Sequence, residues 1–237
     1  MYQFISMKQY LTTLIAATLL AATAHAQLPT PALTNSAGGS ATFIYGLWGG
    51  GNTTKVSAPF FTNTGSRLGY HAGIYADNSF GRFTGMRNEL SYAKQGFRFH
   101  NAYTNGNVDL RYLYVTNLFA LNIGHLLQVH AGPQVGLLLN ALADTVHNLN
   151  GSTATSFFSI KGQASRLNLG GCAGLEVYPW KGLIVGVRYN LGFLGFNNRE
   201  ADANTIYSRR VASGSSTRLL TEMLQLSCGW RLGTASR

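Results

Sequence analysis

From Thr42 onward the chain repeats one pattern: short stretches of alternating apolar and polar residues, joined by connections that run long, short, long, short, long, short, long. Alternation at period two sends successive side chains to opposite faces of a strand. Regular alternation of long and short connections makes neighbouring strands antiparallel, with tight turns at one end and loops at the other. A membrane-spanning β-barrel has both properties, with strands of roughly 9–11 residues.

The clearest strand is Leu127 to Leu139. Leu127, Val129, Ala131, Pro133, Val135, Leu137 and Leu139 share one face; Gln128, His130, Gly132, Gln134 and Gly136 share the other, and Leu138 is the exception. Leu167, Leu169, Gly171, Ala173, Leu175 and Val177 alternate with Asn168, Gly170, Cys172, Gly174 and Glu176. Leu183, Val185, Val187, Tyr189, Leu191 and Phe193 alternate with Gly186, Arg188, Asn190 and Gly192. Leu220, Leu224, Leu226, Cys228, Trp230 and Leu232 oppose Met223, Gln225, Ser227, Gly229 and Arg231, with Glu222 breaking the apolar face near an expected outer rim. Leu68, Tyr70, Ala72, Ile74 and Ala76 oppose Gly69, His71, Gly73, Tyr75 and Asp77.

Three further segments bring the expected total to about eight strands. Thr42–Gly50 carries Phe43-Ile44-Tyr45-Gly46-Leu47-Trp48, and Phe83–Lys94 sets Met86, Leu90 and Tyr92 against Arg87, Glu89 and Ser91. Val108–Asn122 is rich in Leu, Tyr and Val, and its faces cannot be assigned from the pattern.

The connections sort by length. Asn52–Arg67, Gln95–Asn107, Ala141–Arg166 and Phe196–Arg218 are the expected long loops; Asn78–Arg82, Ile123–Leu126 and Tyr178–Gly182 are the expected turns. With both termini in the periplasm, every long loop falls outside the cell. Phe80, Phe83, Tyr178, Trp180 and Trp230 near strand ends suit an interfacial aromatic girdle. Helical spans across Leu110–Ala143 are excluded because Asn117, Asn122, His125, Gln128, His130, Pro133 and Gln134 interrupt them. A soluble β-sandwich or lipocalin-like barrel would put polar groups outward. Here the face opposite the apolar one is full of Gly, which suits a crowded lumen better than a solvent face.

Residues 1–26 read as a secretory signal peptide. Lys8 supplies a basic start, Leu11–Ala22 a short apolar middle, and Ala24-His25-Ala26 a small-residue cleavage site. The apolar middle is too short for a transmembrane helix, which takes roughly 20 residues. Residues 27–40 form a Pro-, Thr-, Gly- and Ser-rich lead-in, residues 41–233 the barrel domain, and residues 234–237 a short tail.

Composition agrees. Charged residues are 11% and mean hydropathy is only +0.03, too polar for a helical membrane protein but expected where alternate residues face lipid. The net charge of +10 raises nucleic-acid binding, but the Arg residues are scattered and the chain is exported, so anionic head groups are the expected partners. Cys172 and Cys228 fall on opposite faces, which predicts two free thiols.

The run Val129-His-Ala-Gly-Pro-Gln-Val-Gly-Leu-Leu-Leu139 resembles the central Gly-Pro strand of PorT-like outer-membrane β-barrel proteins of Bacteroidetes. Gly170–Val177, Val187-Arg188-Tyr189-Asn190 and Leu224-Gln-Leu-Ser-Cys-Gly-Trp230 resemble later strands of that family. The resemblance covers roughly residues 41–233. The chain departs from the family's pattern at Thr116, near where members often carry Pro, and in continuing past Trp230 and Leu232 to Arg237. The resemblance implies an all-β, eight-stranded up-and-down barrel with no shared enzymatic activity.

Chemistry-bearing residues are few. His71, His130, Glu89, Glu176, Arg87, Arg188 and Arg231 all fall on the lumen face. No metal-type spacing links them. An eight-stranded barrel is just filled by its own side chains, and buried charges must pair. Glu89 and Glu176 are therefore expected to pair with some of Arg87, Arg188 and Arg231, forming a salt-bridged plug. Asp144 and His147 in the longest loop do not make a nucleophile with an oriented base. Pro59-Phe60-Phe61 is an apolar loop candidate, expected to pack within its own loop. Asn52-Thr53-Thr54 and Asn150-Gly151-Ser152 match an N-glycosylation pattern, and Gly49-Gly50-Gly51 lacks the helix a phosphate loop needs.

The sequence therefore predicts a non-enzymatic outer-membrane barrel with a structural or loop-binding role, no cofactor and no bound metal. Its expected partners are outer-membrane lipids, and an extracellular or envelope protein held by the long loops. A lipid-modifying enzyme, a small pore and a secreted soluble barrel are the competing readings.

Overall fold

The computed structural model describes residues 42–57, 64–80, 83–100, 104–124, 126–149, 152–162, 164–194 and 220–236. The expected signal peptide and lead-in, Pro59-Phe60-Phe61 and Phe196–Arg218 lie outside the described residues. Among the described residues are nine strands and no helix: β1 (Thr42–Ser57), β2 (Thr64–Ser79), β3 (Thr84–His100), β4 (Thr104–Ile123), β5 (Leu127–Leu149), β6 (Ser152–Ser159), β7 (Leu167–Val177), β8 (Leu183–Gly192) and β9 (Leu220–Ser236).

Each strand pairs antiparallel with its neighbours, β1 with β9 as well as β2, and β4 with β5. The ring β1-β2-β3-β4-β5-β7-β8-β9 is a closed eight-stranded barrel, so every strand of the ring has a paired neighbour on each side. β6 stands outside the ring, pairing only with the far end of β5 from Leu142 to Leu149. The three tight connections lie where the pattern predicts, after β2, β4 and β7. Gly124 and Gly182 in two of them have φ of 66° and 89°, a region that favours glycine.

The long connections are shorter than expected. β1 runs to Ser57 and β2 starts at Thr64; β3 runs to His100 and β4 starts at Thr104; β5 and β6 take up most of Ala141–Arg166. The expected C-terminal tail is strand to Ser236, with Ile44 opposite Thr234 and Thr42 opposite Ser236.

β4 explains these differences. Its outward residues from Ile123 through Leu121, Phe119, Asn117 and Val115 to Leu113 form a mostly apolar band, as lipid requires. That length of tilted strand matches an apolar band of about 25 Å. Beyond it the pattern inverts: Asn107, Asp109 and Arg111 point out, while Val108, Leu110, Tyr112 and Tyr114 are buried inside. Past the apolar band the barrel faces water, so its wall obeys the soluble rule of apolar in and polar out. Read with one rule for the whole strand, this inversion resembles a polar loop.

The interior therefore has two layers. The layer away from the tight turns is apolar, built from Val56, Ala93, Phe97, Val108, Leu110, Tyr112, Tyr114, Leu138, Ala141 and Ala143, with Ile160 and Ala164 from the segment after β6 packed onto it. A bulge at Leu139, where Arg111 opposes Asn140 but Tyr112 opposes Leu138, resets the alternation so that Leu138, Ala141 and Ala143 all face inward. Leu138, the exception in the sequence pattern, belongs to this layer. The layer toward the tight turns is polar and charged.

Candidate functional site

The polar layer places six charged side chains in the lumen, and parity alone puts them there. Arg87 and Glu89 sit two apart on β3; Asp77, Glu176, Arg188 and Arg231 arrive from β2, β7, β8 and β9. Three guanidiniums and three carboxylates share the layer, so their formal charges balance. A lone buried ion would be too costly to retain, whereas a paired and hydrogen-bonded one is tolerated.

Arg188 Nη1 and Nη2 donate to Glu89 Oε2 and Oε1 at 2.5 and 2.8 Å, and Arg188 Nε donates to His130 Nε2 at 3.2 Å. Arg87 Nε and Nη2 donate to both oxygens of Asp77 at 2.6 and 2.8 Å, and its Nη1 donates to Glu176 Oε1 at 2.5 Å. Forked, charge-assisted contacts of this kind fix both distance and orientation. The two pairs are linked, with Arg87 Nη1 3.9 Å from Glu89 and Arg188 Nη2 3.9 Å from Glu176. Aromatic rings complete the layer: Arg87 lies over Tyr75 at 4.6 Å and Arg188 over Trp48 at 4.9 Å.

Both glutamates pair with arginines of the expected set, Glu89 with Arg188 and Glu176 with Arg87. Arg231 takes no carboxylate among the described residues and stacks over Tyr178 at 5.5 Å instead. Asp77, which its parity places in the lumen, was not among the expected charge partners. Tyr178 also differs from expectation. It turns into the lumen mouth, where its hydroxyl accepts from Arg87 Nη2 at 3.2 Å and lies 3.1 Å from Gln128 Oε1, while Phe80, Phe83, Trp180 and Trp230 remain exposed.

Among the described residues no three His, Cys, Asp or Glu side chains group as metal ligands, His71 and His130 included. His71 Nε2 lies 2.9 Å from Ser227 Oγ, a pairing the sequence did not suggest. A Ser beside a His could supply a nucleophile and its base, but His71 Nδ1 has no hydrogen-bond partner to orient the ring, which lies tilted at 49° to Trp48 with centroids 4.8 Å apart. Cys172 is buried and Cys228 exposed, both as free thiols. Between the two layers is a cavity of about 10 Å³, lined by Gln95, Tyr114, Gln134, Asn168, Asn190 and Thr221 among others. That is room for about one water, which would satisfy the unpartnered Gln95 Nε2 and Asn190 Oδ1.

The loop candidates resolve differently. Asp144 accepts from the backbone and side-chain nitrogens of Asn107 at 2.6 and 3.1 Å, a strand-to-strand tie; the side chain of His147 lies outside the described residues. Asn52 is buried and donates to the carbonyl of Lys94 at 3.1 Å, so it faces the lumen and not a glycosylating enzyme. Asn150 lies outside the described residues, and Gly49-Gly50-Gly51 is strand within β1. Glu222 does sit on the outer wall, 3.0 Å from Lys55 Nζ and accepting from the Tyr189 hydroxyl at 2.8 Å.

The sequence profile described as Outer membrane protein beta-barrel domain matches residues 26–198. No curated protein matches the chain. Among solved structures, Ail, the attachment invasion locus protein of Yersinia pestis, is similar at 14% identity and a TM-score of 0.45, over 80% of this chain and 98% of that one. Neisserial surface protein A is similar at 11% identity and a TM-score of 0.43, over 79% and 97%. OprG of Pseudomonas aeruginosa is similar at 11% identity and a TM-score of 0.39, over 81% and 96%.

Proposed function

Because this chain belongs to the outer membrane protein beta-barrel domain family and is an integral outer-membrane protein, we propose that it is a closed, non-conducting barrel with no enzymatic activity. Its role is structural, or one of binding through the connections at its outer end. One observation carries this reading: Arg87 and Arg188 reach across the lumen to carboxylates on other strands, so charge that could have lined a water-filled channel is spent on neutralising itself. The apolar layer beyond it supports the same reading, since ions do not cross a dry apolar constriction.

The tight turns face the periplasm and the β5–β6 end faces outward, because outer-membrane barrels keep short turns inside and long connections outside. Residues 1–26 are removed as a signal peptide, and the barrel is of the PorT-like kind that its Gly-Pro strand resembles. Its partners are lipids at the wall and an extracellular or envelope protein at the outer end.

Planar-bilayer recording tests the central claim. The refolded full chain should give no resolved current steps. Reproducible single-channel steps, from protein that also shows a heat-dependent gel shift, would replace the closed barrel with a pore.

A further inference from the structure

We propose that the outer wall of β2, β3 and β4, just beyond the apolar band, is a docking surface for a lipid of the outer leaflet whose head group carries phosphate. This deepens the reading above and rests on its assignment of the outer end.

Tyr70, Lys94 and Arg111 form one row across the three strands, Tyr70 opposite Lys94 and Lys94 opposite Arg111. Arg98 stands higher on the same face, and both Arg98 and Arg111 are exposed with no carboxylate partner among the described residues. Arg67 reaches this face from the bulged part of β2, where its Nη2 donates to Asp109 Oδ2 at 3.0 Å. Lys94 Nζ is 3.7 Å from the same oxygen. Four cations therefore line this face around one carboxylate, Asp109, which pairs with only Arg67 and Lys94. The next carboxylate, Asp144, is taken by Asn107. The patch carries surplus positive charge.

What lies below the patch selects the occupant. Directly beneath this row, Ala72 opposes Tyr92, Tyr92 opposes Leu113 and Leu113 opposes Leu137, the upper margin of the apolar band. The Tyr70 and Tyr92 rings lie 6.2 Å apart at the boundary, where aromatic side chains meet head groups. An amphiphile standing here would set its acyl chains against the apolar rows and its phosphate level with Lys94, Arg111 and Arg67. Guanidinium is the preferred partner of phosphate because its donors match two oxygens at once. A soluble anion would use the cations but leave the adjoining apolar rows without a role.

The test uses the full chain, refolded into phosphatidylcholine vesicles doped with diphosphoryl lipid A, extracted in mild detergent and weighed by native mass spectrometry. The wild type should retain the phosphorylated lipid in preference to phosphatidylcholine. K94Q/R111Q should retain it roughly 30-fold more weakly, from the loss of two interfacial charges. K181Q, which removes a charge from the tight turn after β7, should retain it fully. Equal retention by all three proteins, equal loss in K181Q, or preference for phosphatidylcholine would overturn the proposal. If K94Q/R111Q gives no heat-dependent gel shift, the wild type is weighed at low and high salt: a fall in retention supports the surface, and unchanged retention overturns it. A wild type that lacks the gel shift would instead sink the barrel reading.

Discussion

Arg188 and Glu89 meet in a two-pronged ion pair although they come from opposite sides of the barrel: β8 and β3 are four strands apart around the eight-stranded ring. Both side chains are buried, so the pair ties the wall across its full diameter. Arg87 makes a second tie, from β3 to β7, and anchors itself to Asp77 on the neighbouring β2.

Breaking the first tie should be costly because it strands a buried charge. Glu89→Gln is expected to lower stability by about 3–5 kcal/mol. Replacing both members, as Glu89→Leu with Arg188→Met, should cost less than the single change. Urea unfolding of vesicle-embedded protein measures both, and a double variant weaker than Glu89→Gln would show that the pair is not what matters.

Arg87 serves Asp77 through Nε and Nη2, Glu176 through Nη1 and the Tyr178 hydroxyl through Nη2. Arg87→Lys keeps the charge but not the fork. It should fall between the wild type and Arg87→Gln in unfolding midpoint. A lysine variant as stable as the wild type would mean that charge, not geometry, holds Asp77 and Glu176.

Gly186 makes room for the Glu176 side chain. A Cβ there would sit 2.8 Å from Glu176 Cγ and 3.2 Å from the Leu175 carbonyl. Gly186→Ala should cost about 1–3 kcal/mol. The cost should shrink in a Glu176→Ala background, which removes the crowded Cγ, a rescue that a general effect on the strand would not give.

In the apolar layer, Leu110 is fully buried among Val108, Tyr112 and their neighbours. Leu110→Ala should destabilise by about 2–5 kcal/mol, the range for a core cavity. A loss under about 1 kcal/mol, read from the same unfolding curves, would mean that this end is loosely packed and open to water.

The two thiols give a test of the faces. Cys172 points into the lumen and Cys228 to the outer wall. A water-soluble maleimide should label neither in the folded, vesicle-embedded barrel and both after denaturation. Labelling of Cys228 in the folded state would place that stretch of β9 outside the bilayer.

The sequence by itself determined the barrel, its tight turns and the faces of β5, β7, β8 and β9, because lipid forces one side of each spanning strand to be apolar at period two. That parity also sorted Arg87, Glu89, Glu176 and Arg188 into the lumen and separated the two Cys residues. It could not assign Val108–Asn122, since the solvent rule and the lipid rule meet inside that strand, around Tyr112 and Leu113, and the apolar side changes from inner to outer. For the same reason the upper parts of β1, β3 and β5 resembled loops. Only the tertiary structure decided that Glu89 takes Arg188, that Asp77 shares Arg87 with Glu176, and that Arg231 stacks on Tyr178. Parity fixes the face of a side chain but not its height or its position around the ring, and those depend on the strand register and the closure of β1 on β9.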